Sequence, residues 1–242
     1  MAGPETFDVA IIGGGVVGCA LERRFTLAGA RVVLLERTLE VLDSASKANS
    51  AILHTGFDAA TGSLEASCIA AGYAEYLEIH PKLNLPLLRS GALVLAWDDE
   101  QTAALPGLMD QACANGVSDV QALTAAELLR LEPGLSPKVR AGFRVPRECL
   151  IDPWSAPLAY LLQALENGAT LRRGCDVTAG RFDGAIWHLA TATGPVPARL
   201  AINTAGNFGD IVDDRLIGRS GRASFCAAPS HSPRCIPAGG CI

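Results

Sequence analysis

The chain has 242 residues, 49% of them hydrophobic and 19% charged, with a formal net charge of −5. That apolar content excludes intrinsic disorder, and the length suffices for one large domain or two small ones that bury roughly 70% of the unfolded chain's surface. The acidic balance argues against a nucleic-acid partner, and apolar runs such as residues 92–97 are too short to span a bilayer, which leaves only peripheral membrane contact open.

In chain order, residues 7–12 (Phe-Asp-Val-Ala-Ile-Ile) predict a short apolar strand running into Gly13-Gly14-Gly15-Val16-Val17-Gly18. A helix follows, with Val17, Leu21 and Phe25 at i, i+4, i+8, Ala28 completing the stripe and Gly29 as its stop. Residues 31–35 read as a buried parallel-type strand with Glu36 at its end, which completes a βαβ unit. Next come a helix over 64–77, a strand over 91–97 and a helix over 100–114. Thr124-Ala-Ala-Glu127 is a capping box that opens a short helix ending before Pro133. Ser155 is expected to cap an amphipathic helix with Leu158, Leu161, Leu162 and Leu165 on one face and Asn167-Gly168 as its stop. Short strands are then expected over 170–177, around the Asp183-Gly184 turn, and over 199–203. From Arg219 on, the composition changes to Arg, Ser, Pro, Cys and Gly with no acidic residue, which reads as an irregular, disordered tail.

Eight cysteines without C-x-x-C spacing and four dispersed histidines give no metal-ligand pattern, so no metal is expected. The first eight residues carry Glu5 and Asp8 and no Lys or Arg, unlike a secretory leader, so a cytoplasmic protein with reduced thiols is expected.

The Gly13-x-Gly15-x-x-Gly18 spacing gains its specificity from context: a strand before it, a helix after it, and Glu36 at the end of the next strand. Gly13 permits the tight turn, Gly15 lets main chain approach a diphosphate, and Gly18 allows close helix–strand packing. The diphosphate meets unpaired N–H groups at the helix start, and Glu36 can accept from a ribose diol while repelling a 2′-phosphate. Between NAD and FAD the fingerprint does not choose. The polar, irregular stretch from Arg37 to Gly56 suits a loop along an extended cofactor better than the next helix of an NAD domain.

Residues 7–36 together with Ser46-Lys47-Ala48-Asn49-Ser50-Ala51-Ile52-x-His54-x-Gly56 resemble the D-amino-acid-oxidase-type (DAO) FAD-dependent oxidoreductases. Within them the run is most similar to the glycerol-3-phosphate dehydrogenase/oxidase and L-2-hydroxyglutarate oxidase branch. Gly174-Cys175-Asp176-Val177 resembles that family's adenine-contacting strand, and Asn203-Thr204-Ala205-Gly206 its strand end over the FAD. One departure is Glu22, where the family usually has a small residue.

The resemblance implies an α/β fold: a Rossmann-like FAD-binding domain built from separated segments, 1–80 and 151–218, around a partial α+β substrate domain at 81–150. The tail takes 219–242. It implies FAD contacts at Gly13, Gly14, Gly15, Val16, Val17, Gly18, Glu36, Arg37, Ser46, Lys47, Asn49, Ser50, Val177, Ala205 and Gly206. His54 would be the catalytic base, taking a hydroxyl proton as hydride leaves for flavin N5. Glycerol 3-phosphate is the first substrate expected and L-2-hydroxyglutarate the second. Either is a small anion, for which Arg89, Arg144 and Arg147 are available, and an electron acceptor of unspecified kind must follow. The rival readings are an NAD-dependent dehydrogenase and an inactive truncated fragment. The break after Gly218 resembles a shifted reading frame and suggests an incomplete flavoprotein with poor activity.

Overall fold

The computed structural model describes residues 6–218, so the tail expected over 219–242 lies outside the described residues. The elements begin with β1 (Phe7–Ile12), α1 (Val16–Leu27), β2 (Val32–Leu35), β3 (Ile52–Leu53), α2 (Leu64–Ile79), β4 (Leu87–Leu88), β5 (Ala92–Ala96) and α3 (Asp99–Ala114). They continue with β6 (Gln121–Thr124), α4 (Ala125–Leu131), β7 (Ala141–Val145), β8 (Cys149–Ile151) and α5 (Ser155–Glu166). The last are β9 (Thr170–Arg172), β10 (Val177–Phe182), β11 (Trp187–Thr191), β12 (Val196–Asn203) and α6 (Gly209–Ile217). Two compact units result, one from residues up to 49 together with those from 153 on, the other from 50–152.

The first unit holds a six-stranded sheet in the order β10-β11-β12-β1-β2-β9. β12, β1, β2 and β9 run parallel, whereas β10, β11 and β12 form an antiparallel meander. β1 lies between β12 and β2, with Val9 opposite both Leu200 and Val32. Both sheet faces are covered, which is why 7–12 and 32–35 read as continuous apolar runs rather than alternating ones. Ala10, Ile12, Val33 and Leu35 point to one core with Leu189, Val196 and Val212. Val9, Ile11, Val32 and Leu34 point to the other, with Cys19 and Leu161 from α1 and α5.

The second unit contains an antiparallel sheet β5-β7-β6 and a smaller one, β3-β8-β4. Its core joins Ala96, Leu105, Ala112, Phe143 and Val145, with Phe57 meeting Phe143 edge-on at 6.0 Å. The capping box at Thr124 and Glu127 forms as expected, each side chain bonding the other's main-chain N–H.

Several details differ from the sequence expectations. The chain passes from the first unit to the second at residue 50, not near 80, because β3 pairs with β8 and belongs with α2 to the 50–152 unit. Along α1 the buried residues are Gly18, Cys19, Glu22 and Thr26; of the expected stripe, Leu21 and Phe25 pack partly buried on the core, whereas Val17 is exposed. Ser155 is the first residue of α5 and Trp154 its N-cap. Of the four leucines expected on one face of α5, Leu161 is buried, whereas Leu158 and Leu162 are exposed. Residues 170–177 form β9 and the start of β10, not one strand. Helix α6 was absent from the expected elements; it packs Val212 and Leu216 onto the β10–β12 face.

Candidate functional site

The site starts where β1 stops. Gly13 turns the chain with φ of +112°, and a Cβ there would stand 2.6 Å from the Thr204 carbonyl oxygen at the end of β12. A Cβ on Gly18 would stand 2.0 Å from the Gly13 carbonyl oxygen, so only hydrogen at both positions lets α1 start against the turn. Gly15 is the N-cap of α1 and offers no side-chain cap; instead the Val16 N–H donates to Ser46 Oγ at 3.0 Å. No acidic residue occupies the first turn of α1, so its unpaired N–H groups present a positive end to whatever lies before them. Glu36, at the end of β2, accepts from the Gly14 N–H at 2.7 Å through Oε2 and from the Thr38 N–H at 2.8 Å through Oε1.

These groups open onto one cavity of about 260 Å³ within the first unit. Gly13, Gly14, Gly15, Val16 and Val17 line it, as do Glu36, Arg37 and Ser46. Val177, Ala205 and Gly206 line it from β10 and the end of β12. Gly18 sits behind the turn rather than in the lining. Lys47 and Asn49 are likewise absent from the lining: Lys47 pairs with Asp43 at 3.1 Å and Asn49 Nδ2 donates to the Ser46 carbonyl. Ser50 belongs to the other unit.

Among the wall residues that the sequence did not single out as cofactor contacts are Asp176, Phe208 and Arg215. Arg37 stacks its guanidinium over the Phe208 ring at 3.7 Å, and Arg215 Nη1 donates to Asp176 Oδ1 at 3.0 Å and to the Val177 carbonyl at 2.9 Å. The detectable signal was α6 itself, through the i, i+4 pair Val212 and Leu216. Behind the fingerprint, burial pushes the Cys19 thiol up to about 12 and the Glu22 carboxyl up to about 8, so both are protonated at neutral pH and Cys19 is no nucleophile.

In the second unit His54 directly follows β3, and its Nδ1 stands 3.3 Å from Oε2 of Glu148, whose side chain is 3% exposed. The other carboxylate oxygen accepts from the Thr55 N–H at 2.6 Å and from Thr55 Oγ1 at 2.7 Å. Of the arginines considered for an anion, Arg147 is already committed to Asp119 and to the Gly116 carbonyl.

Main-chain N–H groups at a helix start, two Cβ-free approaches and a carboxylate beside them suit the diphosphate and ribose diol of a dinucleotide. Comparison with known proteins decides which dinucleotide. The family model described as FAD dependent oxidoreductase, DAO, matches residues 8–233. This chain belongs to the DAO family. The match extends past Gly218, the point at which the sequence reading placed the end of the resemblance.

Among DAO relatives, a glycerol 3-phosphate dehydrogenase of Caloramator mitchellensis is 31% identical over 87% of this chain and 44% of its own length. An L-2-hydroxyglutarate dehydrogenase of Indibacter alkaliphilus is 29% identical over 85% of this chain and 52% of its own. A solved structure, the dithionite-reduced L-α-glycerophosphate oxidase of Mycoplasma pneumoniae with FAD bound, superposes with a TM-score of 0.80 at 27% identity. That likeness covers 88% of this chain and 57% of the oxidase. The chain spans about half the length of the curated relatives it matches. FAD is therefore the dinucleotide, and the NAD-dependent alternative falls with the family assignment. No helix among the described residues is long and apolar enough to cross a membrane.

Proposed function

We propose that the protein oxidises a small hydroxy substrate with FAD, glycerol 3-phosphate ahead of L-2-hydroxyglutarate. The observation that carries this reading is the cavity in which the α1 N-terminus, Ser46 and Glu36 converge on a Cβ-free turn. The first-turn N–H groups of α1 and Ser46 would hold the diphosphate, and Glu36 the ribose diol. Bound FAD would supply the hydride acceptor. His54 would take the hydroxyl proton at Nε2, since Nδ1 faces Glu148. The 50–152 unit would bind the anionic substrate, and an external acceptor would reoxidise the cofactor. Cys19, Cys68, Cys113, Cys149 and Cys175 are free thiols, which supports a reducing, cytoplasmic setting.

The test is a visible spectrum of the purified protein followed by stopped-flow reduction with each of the two hydroxy substrates. Flavin bands bleached faster by glycerol 3-phosphate than by L-2-hydroxyglutarate support the reading, and His54→Ala should slow bleaching while leaving FAD bound. A chain without flavin bands, or one reduced at the same rate after His54→Ala, overturns it.

A further inference from the structure

We propose that Glu148 is a positioning residue that holds His54 in the one tautomer able to accept a proton at Nε2; the catalytic part of this inference rests on the role of His54 proposed above. Glu148 is buried at 2% exposure between β7 and β8, yet its carboxylate is not idle. Oε1 takes both donors of Thr55, the N–H and the hydroxyl, leaving Oε2 turned toward His54 Nδ1 at 3.3 Å. The neighbouring cation is spent elsewhere: Arg147 faces Asp119 and the Gly116 carbonyl, and Cys149 Sγ donates to the Arg147 carbonyl. A carboxylate is an acceptor only, so it selects the imidazole form carrying its proton on Nδ1. Nε2 then presents a lone pair, and His54, half-exposed, can offer it to a substrate hydroxyl.

Glu148→Gln separates this role from packing. The two Thr55 donors would keep the amide oxygen on their side, so the new NH₂ group would face His54 Nδ1 and donate to it. The imidazole proton would move to Nε2, and the base would be blocked with little change in shape.

The readout is the ¹⁵N spectrum of the histidine side chains in the full chain, His54 being assigned as the signal lost in His54→Gln. In its neutral form the parent imidazole should show protonated Nδ1 and bare Nε2. Glu148→Gln should invert that pattern and slow flavin reduction at least ~10-fold. A parent spectrum with the proton on Nε2 overturns the inference even if the variant does not fold, and so does an unchanged His54 tautomer in a folded variant. Inversion without slower flavin reduction upholds Glu148 as the group that sets the tautomer and removes His54 from the chemistry, so the two readings fail separately.

Discussion

Glu22 gives the fold a liability that one substitution should remove. Its side chain is fully buried in α1, neither carboxylate oxygen has a hydrogen-bond partner among the described residues, and the Thr26 hydroxyl one turn on is also unpaired. Burial pushes the carboxyl from 4.5 up to about 8. The folded state therefore keeps a proton that the unfolded chain has released, and stability falls as pH rises from about 4.5 to about 8, then levels off. Each pH unit inside that window costs about 1.4 kcal/mol, so the burden is about 3 kcal/mol at pH 7 and about 5 kcal/mol above pH 8. Glu22→Met keeps the length of the side chain and removes the ionisable group. Urea unfolding at pH 7 should shift to a midpoint higher by about 1 M, with a slope of about 2–3 kcal/mol per M. The pH-dependent part of the gain should vanish near pH 4, where both states of the parent are protonated, leaving only the part due to a neutral carboxyl buried without partners. A variant no more stable than the parent at pH 8, or a parent whose midpoint does not fall between pH 5 and 8, would refute the argument.

Gly15→Asp should strip FAD from the protein without unfolding it, because a carboxylate at the N-cap satisfies the helix start that the diphosphate would otherwise occupy; flavin content equal to the parent's would show that the cofactor lies elsewhere. Glu36→Ala leaves the Gly14 and Thr38 N–H groups without acceptors, so it should cost about 1–3 kcal/mol of stability as well as weaken FAD, both measurable by thermal unfolding with and without cofactor. Gly142→Ala would put a Cβ 2.3 Å from the Val94 carbonyl oxygen across β5 and β7. It should destabilise the 50–152 unit by about 1–3 kcal/mol, and an unchanged urea profile would contradict that.

What the sequence made legible was local. The β1–turn–α1–β2 unit announces itself because two buried strands, a turn that admits no Cβ and a helix start fall within thirty residues, each leaving its own residue pattern. The Thr124–Glu127 box was equally readable, since both partners lie within one helical turn. Long-range pairings were not. Nothing in the spacing ties His54 and Thr55 to Glu148, which meet them only through the pairing of β3 with β8. The same pairing moved the boundary from 80 to 50, because a two-residue strand is too short to carry a period. Lys47 and Asn49 share their polarity with Ser46, but only the fold reveals that Ser46 alone of the three reaches the α1 N-terminus. Glu22 shows the limit of periodicity in the other direction: Leu21 and Phe25 of the apolar stripe reach the core, yet the carboxyl between them in sequence is fully buried as well.

The central strand of the nucleotide-binding sheet has a neighbour that the chain supplies very late. β1 is flanked by β12, with Phe7 opposite Ala198, so the sheet cannot close around its first strand until almost all described residues have been made. The 50–152 unit needs no such wait, since every strand it pairs lies within one uninterrupted stretch. During synthesis the inserted unit can therefore fold first, while β1, with only β2 beside it, stays without its β12 neighbour for the time that some 190 residues take to emerge. For that interval the Gly-rich turn exists as sequence but not as a binding site, and β1 is the segment most in need of protection from pairing with the wrong strand.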